Sequence, residues 1–169
     1  MRARPARTPR TFTVLPKALW DRPDAERVDR SLQRLLTRRG DEIEFVVLFG
    51  SMARGDWSVG SDYDLLIGLR GEDGQRFVDR IGEFSADVEG PVDVFPYSRS
   101  EWRRMFENLS FFFFGAFEQG IVLWDQGGFA QMRSDFRSWR ARGLIEALPR
   151  GWRIHAEPTA FGMPEAGLT

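Results

Sequence analysis

Two apolar runs, IEFVVLFG (residues 43–50) and DYDLLIGL (residues 62–69), stand close together and constrain everything built around them. Each has the length and the aliphatic, β-branched content of a buried strand. The segment between them is short, which makes a hairpin-like antiparallel pair possible. The second run also carries an oddity: Asp62 and Asp64 stand one residue apart, where strand pattern favours apolar side chains.

Helical periodicity surrounds this pair. Ala25, Val28, Leu32, Leu35 and Leu36 lie on one face of a helix over Asp24–Arg39, ended by Gly40. A moderately amphipathic helix is expected over Gln75–Val88, and GPVDVFPYS (residues 90–98) gives a third strand halted by Pro96. The helical crossover before it can place this strand beside the first two. The phenylalanine-rich stretch 98–120 looks strand-like by composition. Its spacing (Trp102, Met105, Phe106, Leu109, Phe112, Phe113, Ala116, Phe117) is helical, with a capping box at Ser98 and Glu101 and a stop at Gly120. This aromatic stripe predicts core. IVLWD (residues 121–125) is a fourth strand, Phe129 to about Leu148 a last helix, and the Pro/Gly-punctuated remainder a loosely ordered tail.

The expected class is therefore α/β (α+β): a small mixed sheet of about four strands flanked by helices. Residues 1–20 read as a basic leader, 21–125 as the folded domain, and 126–169 as a C-terminal helix and tail. The opening MRARPARTPR, with four arginines and no acid, is either a flexible leader or an arm for a partner or RNA.

Elimination narrows the chemistry. At 169 residues the chain is about one domain long, and its net charge of -1 gives no global attraction to nucleic acid. It has no cysteine, one histidine (His155) and one lysine (Lys17), so thiolate, His-ligated zinc and lysyl-intermediate chemistry are disfavoured. There is no P-loop, no membrane-length apolar run and no secretory signal pattern, and a cytoplasmic location is the default expectation. What remains is carboxylates, hydroxyls and arginines, a set suited to metal-assisted transfer.

Three features supply those groups. Gly50 and Ser51 end the first strand in a turn whose free N–H groups suit a phosphate, and Arg54 falls three residues after Ser51, where it can reach the same oxygens. Asp62 and Asp64 project the same way from one strand and repel each other unless a cation lies between them. Asp93, flanked by Val92 and Val94, faces away from those valines and can join the pair if the third strand lies next to the second. Alone, each has a plainer reading: an ordinary turn, a wet strand end, an edge-strand acid facing water.

Together, the Gly-Ser, the ten intervening residues, the Asp-x-Asp and the downstream strand aspartate resemble the nucleotidyltransferase fold of the DNA polymerase β superfamily. The stretch GSMARGDWSVGSDYDLLIG is similar to the minimal nucleotidyltransferases (MNT), including the antitoxins paired with HEPN toxins, and the resemblance extends over roughly residues 40–125. It implies that Gly50 and Ser51 hold the nucleotide triphosphate, that Asp62 and Asp64 bind two Mg2+ ions, and that Asp93 completes the catalytic metal and helps deprotonate the acceptor hydroxyl. Arg54 is a phosphate contact on charge and spacing alone. The implied activity is AMP transfer from ATP to a partner-protein hydroxyl, a tyrosine of a HEPN-type RNase toxin. Two alternatives stay open: a small-molecule or RNA nucleotidyltransferase, and a non-catalytic antitoxin that neutralises by contact.

Overall fold

The computed structural model describes residues 12–163; the basic stretch 1–10 lies outside them. In chain order the elements are α1 (Ala25–Arg39), β1 (Ile43–Phe49), α2 (Gly50–Arg54), β2 (Tyr63–Leu69), α3 (Phe77–Ala86), β3 (Val92–Tyr97), α4 (Arg99–Glu107), α5 (Phe111–Gln119), β4 (Ile121–Asp125), α6 (Gly128–Ala141), β5 (Ile145–Leu148) and β6 (Gly151–Ile154). The main sheet runs β3-β2-β1-β4, with β1 antiparallel to both β2 and β4 and β3 parallel to β2. The mixed four-strand sheet expected from the sequence is thus observed, including the crossover that sets β3 against β2.

Both faces of the sheet are covered, which is why β1 and β2 read as nearly continuous apolar runs. Val46, Leu48, Tyr63, Leu65, Ile67 and Val94 point to one side, where Val28, Leu32 and Leu35 of α1 and Phe84 of α3 pack. Phe45, Val47 and Leu66 point to the other, into an aromatic core from α4, α5 and α6 that includes Trp102, Phe113, Phe117, Phe129 and Phe136. Asp64 and Asp93 sit two residues from Leu66 and Phe95 on their strands, so alternation puts both on the aromatic side, at its open end.

Three segments differ from expectation. The helix expected over 98–120 is two helices. Its capping box is present, with Ser98 N–H donating to Glu101 Oε2 at 2.7 Å, but Leu109 takes a left-handed φ of 54° and α5 restarts after Ser110. A continuous helix there would be about 30 Å long, whereas a seven-residue strand such as β1 spans about 23 Å. The break folds both halves of the stripe back over the sheet. The helix from Phe129 ends at Ala141, and a loose tail is replaced by the β5–β6 hairpin, which sets Trp152 edge-on against Phe114 and Phe136, each at 5.6 Å. Residues 12–20 are no free leader either: Val14, Leu15 and Leu19 are buried.

Asp29, buried in α1, holds that segment down by accepting 2.7 Å hydrogen bonds from the N–H groups of Val14 and Leu15. Asp29→Leu leaves two donors unmet and should cost roughly 1–3 kcal/mol, read as a lowered midpoint in urea; an unchanged midpoint would show the segment is not anchored there.

Candidate active site

The first strand delivers its end to the second. Phe49 pairs with Asp64 across the β1–β2 ladder, and Asp64 pairs in parallel register with Asp93. Neighbouring strands lie about 4.8 Å apart, so these two carboxylates leave adjacent backbones on the same face. Immediately after Phe49 the chain turns through Gly50, whose φ is +70°. A Cβ on Gly50 would fall on Asp64 Oδ2 and 3.3 Å from its Cγ. Only glycine allows the turn and the carboxylate to share that space.

The single turn of α2 follows, with Ser51 half-buried. Arg54 is exposed and donates from Nε to Asp56 Oδ2 at 3.2 Å, so its guanidinium is partnered within its own loop. Asp62 lies just outside β2, which starts at Tyr63, and is exposed like Asp93. The ladder nonetheless begins there, because Tyr63 N–H donates to Pro91 O at 2.7 Å.

Asp64 feels the other two acids. Burial first, then the charges of Asp93 and Asp62, raise the Asp64 carboxyl above its ordinary range, and Arg54 opposes the rise. Among the described residues no side chain or N–H group donates a hydrogen bond to any of the three. This is unlike Asp24, Asp29, Asp73 or Asp87, each of which is bonded. The three do not converge at ligand distance: no group of three acids or histidines among the described residues stands close enough to hold a metal as it is. The donor set still fits one. Hard oxygen ligands, a repelling cluster that accepts no hydrogen bond, and a glycine-lined cradle beside Asp64 match what Mg2+ takes from protein, with phosphate and water completing its shell. Held there, it would be bound by Asp62, Asp64 and Asp93.

A cleft of about 630 Å3 opens elsewhere, at the far end of β2, lined by Arg39, Leu69, Arg70, Glu72, Asp73 and Arg99. Its charges are of mixed sign, and Arg39 and Asp73 are already paired within the fold. The carboxylates form an open ledge instead, and the chemistry argues for the ledge. His155, the lone histidine, bonds Glu146 of β5 at 2.8 Å and takes no part in it.

Sequence reasoning missed the group behind Asp62. Arg22 and Asp24, before α1, hydrogen-bond the Tyr63 hydroxyl from the opposite face of the sheet. No local pattern marks such a contact; the only trace is an arginine and an aspartate two apart before a helix.

Residues 31–110 match the family model described as polymerase beta, nucleotidyltransferase. No curated protein matches the chain. Among solved structures, a candidate nucleotidyltransferase of Sulfolobus solfataricus is similar at 20% identity, covering 68% of this chain and 93% of that one, with a TM-score of 0.45. A chain of a toxin–antitoxin complex with AMP-PNP is similar at 18% identity, over 67% and 86%, with a TM-score of 0.46. A chain from a complex of tri-AMPylated Shewanella oneidensis HEPN toxin with MNT antitoxin is similar at 16%, over 67% and 87%, with a TM-score of 0.38.

Proposed function

We propose that this chain, whose residues 31–110 match the polymerase beta nucleotidyltransferase model, transfers AMP from ATP to a hydroxyl of a partner protein, a tyrosine of a HEPN-type toxin, and acts as its antitoxin. The observation that carries the transfer is the paired register of Asp64 and Asp93 with Gly50 pressed against Asp64. It supports Asp64 and Asp93 working on one face beside the turn at Gly50 and Ser51. The choice of acceptor rests on the motif's resemblance to the minimal nucleotidyltransferases.

In this reading Gly50 and Ser51 bind the triphosphate, with Arg54 reaching it once released from Asp56. Asp62, Asp64 and Asp93 would hold Mg2+, which would supply neutralisation of phosphate charge. Asp93 takes the proton of the acceptor hydroxyl; its oxygen bonds to the α-phosphorus, the bond from that phosphorus to the bridging oxygen breaks, and pyrophosphate leaves. No helix among the described residues is long and apolar enough to cross a membrane.

The test is intact-mass measurement of a HEPN-type partner incubated with the protein, ATP and Mg2+, with RNA ends and aminoglycosides offered in parallel. Adenylyl mass on a partner tyrosine is expected. Label appearing on RNA or antibiotic instead would replace the acceptor, and an unmodified but neutralised partner would establish a contact antitoxin.

A further inference from the structure

Arg22 is 5% exposed, and its guanidinium is divided between Asp24 and the segment that carries Asp62. Nε donates to the Tyr63 hydroxyl at 3.0 Å and to Asp24 Oδ1 at 3.1 Å. One terminal nitrogen donates to Ser58 O at 3.2 Å, and the other to Ser61 O at 3.1 Å and Asp24 Oδ2 at 2.9 Å. The cation also lies 5.0 Å from the ring centres of both Trp57 and Tyr63.

These contacts bracket Asp62. Its preceding residue is held by the carbonyl of Ser61 and its following residue by the phenol of Tyr63, while Asp62 itself belongs to no strand. The loop adds little of its own beyond Ser61 N–H to Ser58 O at 3.0 Å and Ser58 N–H to Ser61 Oγ at 2.9 Å. Burying a cation is costly unless its hydrogen bonds are all used. Here they are used on the Asp24 carboxylate, the Tyr63 hydroxyl and two carbonyls, those of Ser58 and Ser61, in the loop that leads into Asp62. Arg22 also comes from the segment before residues 31–110, so the matched family domain does not supply it.

We propose that Arg22 is a positioning residue: with Asp24 and Tyr63 it clamps residues 58–63 so that Asp62 stands beside Asp64. This rests on reading Asp62 and Asp64 as working carboxylates. Lysine keeps the charge but cannot reproduce the planar fork that reaches two carbonyls, a phenol and a carboxylate together.

Arg22→Lys and the milder Tyr63→Phe test it in the full chain. For Arg22→Lys, AMP transfer should fall in kcat by about 10- to 100-fold, with the KM for ATP little changed. Two readouts do not need turnover: affinity for Mn2+, titrated as a probe of the carboxylates, should weaken about 10-fold, and amide hydrogen exchange over residues 57–63 should quicken while α1 and β1 keep their protection. Tyr63→Phe should show the same changes at smaller size and carries the test if Arg22→Lys does not fold. Wild-type loop exchange and Mn2+ affinity in both variants would overturn the proposal, as would loss of protection spread evenly over the domain. If the wild-type protein transfers no AMP, the functional reading fails on its own, and exchange and Mn2+ titration still decide the role of Arg22.

Discussion

Asp64→Asn should abolish transfer and, in the absence of nucleotide and metal, make the protein more stable. The two effects have one cause. Asp64 is the most buried of the three acids, and burial together with Asp93 and Asp62 raises its carboxyl above the ordinary range. A group whose folded pKa is raised binds its proton more tightly in the folded chain than in the unfolded one. Its favourable contribution is therefore complete below the ordinary carboxylate range and is lost as pH climbs through the raised value. At neutral pH the ionised side chain is thus a net cost. The neutral isostere removes it, with a gain of roughly 1 kcal/mol, within the span usual for relieving functional strain. For a chain this size that is about 2–4 °C in Tm. In the proposed reading transfer should fall on the order of 10³-fold or more, because a carboxylate that would hold the metal against the reacting phosphate is lost. Scanning calorimetry at neutral and acidic pH checks the stability half: the gain should be present at neutral pH and shrink as wild-type Asp64 becomes protonated. A lower neutral-pH Tm for the variant would mean that the acids are not held against their repulsion.

The parts of this site that were legible in the sequence are those encoded by short-range pattern. Period-two alternation put Asp62 and Asp64 on one side and Asp93 opposite its valines, and the apolar runs gave β1 and β2. What escaped depends on contacts far apart in the chain. The stripe from Trp102 to Phe117 keeps helical spacing straight through the break at Leu109, so periodicity contains no sign that the chain doubles back there. LIEAL (residues 144–148) consists of good helix formers yet supplies β5, where Ile145 is buried in the aromatic core and Ala147 pairs with Trp152, which packs edge-on against Phe114 and Phe136. Arg22 is invisible for the same reason: its value comes from Ser58, Ser61 and Tyr63, which only the fold brings to it. Arg54 shows the converse, since spacing put it over the turn at Gly50 and Ser51 but a nearer partner, Asp56, holds it.

Gly50→Ala is the sharper probe of how turn and carboxylate depend on each other, because it adds one methyl group and no charge. Two penalties coincide. Alanine at a φ of +70° is strained, at about 1 kcal/mol or somewhat more. The new Cβ would also occupy the place of Asp64 Oδ2, and the flexible end of that side chain can yield only by rotating its carboxylate away. Gly55, also at positive φ, is the control: nothing lies within 4 Å of a Cβ built there, so Gly55→Ala keeps the backbone strain without touching an acid. Both variants should therefore lose stability in urea, Gly50→Ala the more, while only Gly50→Ala should lose transfer, by roughly 10²-fold, the usual result of displacing a working group by about 1 Å. Wild-type transfer in both variants would show that Asp64 does not need the place Gly50 leaves for it. Equal losses would show that the loop's conformation, rather than the contact with the carboxylate, is what the glycine protects.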